Sequence, residues 1–181
     1  TADMIQACLE NDKIAAVMHL EGAEAIDRDF FNLDMFQRAG LRSIGPLWSR
    51  PNRFGHGVPF RFPSSGDIGP GLSDDGKRLV RHCDKNGILI DLSHLNEAGF
   101  WDAVECHDPS LPMIVTHTGV DGVCKHWRNL TDDQIRVIAD SGGTVGIIFE
   151  PNFLKRAFGP RDGNMVIEHM AHIIHVVGED F

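Results

Sequence analysis

Five short apolar runs recur along the chain, each separated from the next by a segment of helical character: "IAAVMHL" (14–20), "LRSIGPL" (41–47), "ILIDLSH" (88–94), "MIVTHT" (113–118) and "GTVGIIFE" (143–150). A strand with one wet face alternates apolar and polar residues, whereas a strand covered on both faces reads as a nearly continuous apolar run. The intervening segments at 27–40, 73–87, 96–107 and 131–142 show helical spacing, and further helices are expected at 2–12 and 163–180. Local chemistry supports several of these boundaries. Ser73 precedes one helix as a candidate cap, Thr131 with Gln134 forms a capping-box pattern, and Gly40 stands as a stop. Strands alternating with helices specify an α/β fold with parallel strands and crossover helices. About five strands do not close an eight-stranded barrel, which leaves an open parallel sheet or an incomplete barrel.

The 181 residues, 42% of them hydrophobic, suffice for a single domain, 1–181, with its own core. One stretch breaks the pattern. From Trp48 to Leu72 the chain is rich in Gly, Pro and Ser and has no period, as expected for a lid or binding loop. The formal net charge of −9 argues against a nucleic-acid partner, which needs a positive footprint. No apolar run is long enough for a membrane span. No GxGxxG follows a strand and no GxxxxGK[ST] occurs, so nucleotide cradles are unsupported. Residues 1–13 read as an amphipathic helix and not as a signal peptide, and the chain begins without Met, as a segment of a longer protein would. Cys8, Cys83, Cys106 and Cys124 are too dispersed for a zinc knuckle or a disulfide framework, which points to a reducing, cytoplasmic setting.

In parallel α/β folds function gathers beyond the C-terminal ends of the strands. Glu21, His94 and His117 all lie at such ends. Two imidazoles and a carboxylate suit a catalytic zinc that keeps an open position. Asp91 precedes His94 by three residues, and strict alternation turns it to the opposite face, so it is not counted as a ligand. Arg128 lies on the loop leaving the His117 strand, where a guanidinium fork could bind a carboxylate. Trp48, at its own strand end, could wall a pocket, and His56 lies in the long loop within reach of a site. Each has a plainer reading: a hydrogen-bonded strand-end histidine, a surface arginine, a tryptophan that packs its loop. His82 and His107 are read as closing helices, and His169, His172 and His175 as helix surface or interhelix packing.

The stretches "HLEGAEAI", "GLSDDGKRLV", "GILIDLSHLNEAGFWDAVE" and "PMIVTHTGVDGVCKHWRNLTDDQIRVIADSGGTVGIIF" together resemble the membrane dipeptidase (renal dipeptidase-like) family, peptidase family M19, in the family's order. That resemblance implies a metal-dependent hydrolase barrel with two zinc ions, acting through a metal-activated water on dipeptides, including those with a D-residue on the carboxyl side. It implies that Glu21 is the catalytic carboxylate bridging both metals, that His94 and His117 hold the second metal, and that Arg128 binds the dipeptide's terminal carboxylate. The family's early D-x-H-x-D motif and its later "SDFDG"-like stretch do not occur in these residues. A histidine usual near the end of "RSIGPL" is replaced by Trp48, for which His56 is the candidate substitute. The expectation is therefore an internal segment of a dipeptidase barrel that binds at most one zinc and hydrolyses little by itself. A homodimer is left open. The rival readings are another metal-dependent amidohydrolase acting on a small amide or lactam, and a non-catalytic remnant domain.

Overall fold

A computed structural model describes residues 1–59, 65–154 and 160–180. Its elements alternate as the apolar runs predict. They are α1 (Ala2–Glu10), β1 (Met18–Glu21), α2 (Phe31–Ala39), β2 (Leu41–Gly45), α3 (Asp74–Asn86), β3 (Leu89–Ile90), α4 (Glu97–Cys106), β4 (Ile114–Thr118), α5 (Asp132–Asp140), β5 (Thr144–Ile147) and α6 (Asn164–Val177). β1, β2 and β3 pair in parallel, as do β4 and β5. A parallel bridge between Asp91 and Ile114 carries the ladder from β3 to β4. The strands thus follow one another in chain order, each returning through a helix, and form the curved parallel wall of an incomplete barrel.

Every strand is shorter than its apolar run, and two of the differences bear on the site. Residues 14–17 lie outside β1, and Ile14 is 96% exposed, so this edge of the sheet lacks the two-sided cover its sequence implies. β3 ends at Ile90 because the chain turns through 92–95, and His94 takes a left-handed conformation with φ of 70°. Alternation therefore does not apply from Asp91 onward.

Helix boundaries follow the caps. The Ser73 side chain accepts from the Gly76 N–H, Thr131 forms the capping box with Gln134, and Gly87 closes α3 in a left-handed conformation. α2 starts later than its acidic run suggests. Asp27 lies outside it, exchanging hydrogen bonds with Asn32 at 3.1 and 3.3 Å. The core lies between the sheet and its helices, where Leu33, Ile44, Leu79, Phe100, Ile135 and Ile138 are all buried. Each such side chain contributes about 1.5–3 kcal/mol by leaving water.

The irregular stretch after β2 is ordered by backbone pairing in its described part. Bridges join Asn52 to Gly55, Gly55 to Leu72 and Gly57 to Leu95, while Phe54 and Val58 are buried. Residues 60–64 lie outside the described residues. Of the histidines expected to close helices, His107 caps α4 and pairs with Asp84 at 2.7 Å. His82 instead sits within α3 and reaches Asp34 of α2 at 2.7 Å. His169 is buried in α6 and accepts from the Val120 N–H at 2.8 Å, and His172 meets Asp132 of α5, so both pack between elements.

Candidate metal centre

β1, β3 and β4 run parallel, so their C-terminal ends open on one rim. Glu21 closes β1, His117 lies in β4, and His94 is swung onto the same rim by its left-handed turn. Their donor atoms meet. His94 Nε2 lies 2.9 Å from Glu21 Oε1 and 2.8 Å from His117 Nε2, and His117 Nε2 lies 3.3 Å from the same carboxylate oxygen. These are the described residues that cluster as a metal-binding group. Ligands about 2.0–2.1 Å from a tetrahedral zinc are separated by about 3.3 Å, so the triangle has nearly the size a cation needs. Glu21 is exposed, His117 half-buried and His94 buried, which leaves one side of the triangle open.

The buried groups beneath settle which nitrogens face the centre. The Asp91 carboxylate is 1% exposed and accepts from the Ser93 and Thr116 backbone N–H groups, both at 3.0 Å. It also accepts from the hydroxyls of Ser93 at 2.8 Å and Thr116 at 2.6 Å. A hydroxyl has one hydrogen, and Thr116 directs it to Asp91. The contact of 2.8 Å between Thr116 Oγ1 and His117 Nδ1 must then be donated by the imidazole. His117 is thereby held as the tautomer whose Nε2 lone pair points at Glu21 and His94. Ser49 Oγ lies 2.7 Å from His94 Nδ1 and orients the second ring from behind. Supports of this kind fix ligand rings in metal sites.

Electrostatics agrees. Burial, then the Arg128 guanidinium and His117, pushes the His94 pKa down to about 3. His117 is lowered first by burial and then by Arg128. Both imidazoles are kept neutral, the form that binds a cation. Arg128 is 5% exposed, and burial brings its pKa down to about 10, which leaves it charged at neutral pH. One terminal nitrogen makes a long contact of 3.4 Å with the His117 carbonyl, and its Nε has no hydrogen-bond partner among the described residues. A buried cation with an idle donor is costly unless it receives an anion.

The three clustered donors and Arg128 open into one cleft of about 450 Å³, lined also by Trp48, Ile148, Glu150, Asn152 and Phe153. Trp48 stands 6.1 Å from the His94 ring, as a pocket wall would. His56 is not among the lining residues. It is half-buried in the long loop, with its Nδ1 hydrogen bond unmade among the described residues. Ser49, Thr116 and Glu150 went unmarked in the sequence as site residues, and Asp91 was weighed there and not counted as a ligand. A hydroxyl precedes both histidines, Ser93 in "SH" and Thr116 in "TH", and Ser49 follows Trp48. Glu150 ends the fifth apolar run, where the strand-end rule would have found it.

Donors at the C-terminal rim of a parallel α/β wall, around an open cation-sized triangle, define a metal-dependent hydrolase fold. The profile of "Membrane dipeptidase (Peptidase family M19)" matches residues 1–181, and the chain belongs to that family. It is similar to a metallopeptidase from Rhodobacter sphaeroides solved with a phosphinate mimic of the dipeptide L-Ala-D-Ala, at 45% identity and a TM-score of 0.91 over 99% of this chain and 52% of that one. It is 42% identical to an uncharacterised Acinetobacter calcoaceticus protein encoded in the PQQ-III 3′ region, over 94% of this chain and 54% of that protein. It is also 27% identical to the dipeptidase tcpJ of Claviceps purpurea, over 99% of this chain and 41% of that protein. The chain spans about half the length of these relatives.

Proposed function

We propose that this chain carries the metal- and carboxylate-binding half of a zinc dipeptidase. Glu21, His94 and His117 are the ligands in this reading, with Glu21 as the carboxylate able to bridge to a further cation. A zinc ion bound there supplies Lewis acidity toward a carbonyl and lowers the pKa of water. The protein's own part is placement. The open side of the triangle faces the cleft, Trp48 walls it, and the idle Arg128 donor anchors a substrate carboxylate beside the cation. A dipeptide carries its terminal carboxylate one residue beyond its only peptide bond, so anchoring that group delivers the bond to the metal edge. The described donors suffice for one cation, and slow turnover is expected from the 181 residues alone.

The observation carrying this reading is the buried, charged Arg128 with an unmade hydrogen bond in the same cleft as the triangle. An amidohydrolase acting on a neutral amide or lactam needs no such group. Two measurements test it. Zinc stoichiometry should fall on His94→Ala and on His117→Ala, and should persist on Arg128→Ala. Binding of a phosphinate dipeptide mimic should weaken on Arg128→Ala by about tenfold or more, the worth of a hydrogen bond to a charged group, and much less for the mimic's carboxamide. Unchanged zinc content in both histidine variants rejects the centre. Equal affinity for the acid and the amide rejects the dipeptidase and favours the neutral-amide reading.

A further inference from the structure

The turn after β5 contributes Glu150, Asn152 and Phe153 to the lining of the cleft, and hydrogen bonds hold it together. The Phe153 N–H donates to the Glu150 carbonyl at 3.0 Å. Asn152 donates to Glu150 Oε1 from its backbone at 3.2 Å and from its side chain at 2.7 Å. The turn is also tied to the Arg128 loop. Asn129 donates to the Phe153 carbonyl at 2.8 Å, and the Arg128 guanidinium lies 5.6 Å from the centre of the Phe153 ring. One negative and one positive group are therefore mounted on a single unit, both lining the same cleft. They make no ion pair with each other among the described residues. Both of these bonds fall on Glu150 Oε1, and Glu150 lines the cleft.

We propose that Glu150 binds the free ammonium group of the substrate, so that the cleft selects zwitterionic dipeptides by their two opposite charges. This rests on the dipeptidase reading and adds a residue that determines which ligands are accepted. An extended dipeptide holds its ammonium and carboxylate roughly 6–7 Å apart, at about 3.3–3.6 Å per residue. The metal triangle lines the same cleft as both charges, so a dipeptide held by its two ends brings its amide into the cleft that holds the triangle. Larger peptides extend the carboxyl end beyond Arg128, and N-acylated dipeptides bring a neutral group to Glu150. Both lose one charge pair. A carboxylate already fixed by Asn152 gives up little side-chain freedom on binding.

The test uses a phosphinate dipeptide mimic and its desamino counterpart, titrated calorimetrically into the zinc-loaded protein. Wild type should bind the amine-bearing ligand the more tightly. Glu150→Gln should weaken that ligand by about tenfold and leave the desamino ligand and the zinc content unchanged. Glu150→Asp should recover part of the loss, and Glu150→Lys should exceed it. Equal losses for both ligands in Glu150→Gln, or no loss for either, overturn the role of Glu150 while the dipeptidase reading stands. Wild-type protein that binds neither ligand overturns the dipeptidase reading and this proposal with it.

Discussion

At the scale of single residues, the centre depends on groups that never touch the cleft. Thr116 spends its only hydrogen on Asp91 and so dictates the tautomer of His117. Thr116→Val keeps the shape and removes the relay, and zinc affinity should fall about 10–100-fold with the fold intact by circular dichroism. An unchanged affinity would show that the His117 ring is oriented by packing alone. Burial of the neutral imidazoles also makes stability depend on pH. His94 has a folded pKa near 3, against an ordinary value of about 6.5. In that window the unfolded chain binds more protons, so the stability is fully present above about pH 6.5 and is lost as the pH falls toward 3. His117 shifts in the same direction. Chelated protein should therefore unfold at lower urea concentration at pH 5 than at pH 7.5, and His94→Asn should flatten the difference. Residue types were readable in the sequence here, and so were the three donors. Asp91 was not counted as a ligand and is not one of the three clustered donors, but alternation does not explain its place under Thr116, because β3 ends at Ile90.

At the scale of elements, capping chemistry decided where helices begin and loop packing decided where the rim lies. The capping box predicted at Thr131 is present, and Thr131→Ala should cost about 1 kcal/mol in chemical unfolding. The stretch from Trp48 to Leu72 reads in the sequence as an aperiodic loop, and its described part proves to be a packed strap. Its closest approach is at Gly57, where a Cβ would sit 1.7 Å from the Trp48 carbonyl oxygen and 3.2 Å from that of His94. Gly57→Ala should force the strap away from both residues. The expected outcome is a loss of about 1–3 kcal/mol in stability, accompanied by weaker zinc binding. A stability loss with zinc affinity preserved would separate the strap from the centre. No pattern of composition announces such a contact, since it folds the stretch back on Trp48 and joins it to His94 beyond α3.

At the scale of the whole molecule, five strands in chain order make a wall with two edges. β1 presents Met18 and the preceding Ile14 and Val17 exposed, and α1 buries none of its residues. A helix without buried contacts opens locally at small cost. Backbone amides of α1 should exchange with solvent orders of magnitude faster than those of α3, which buries Leu79, Val80 and Cys83. Comparable protection in the two helices, measured by hydrogen exchange, would show that α1 is held by contacts not described. Among the described residues no helix is long and apolar enough to cross a membrane, and none of the four cysteines is disulfide-bonded. The α/β class, the helix caps, the donor types and the family were determined by the sequence alone, because each depends on interactions within a few residues or on a linear order of motifs. Tertiary structure alone decided that the Glu21, His94 and His117 donors converge, that His94 turns left-handed to join them, and that Glu150 lines the same cleft as Arg128. Those facts rest on strand register and loop packing across tens of residues, which local chemistry cannot specify.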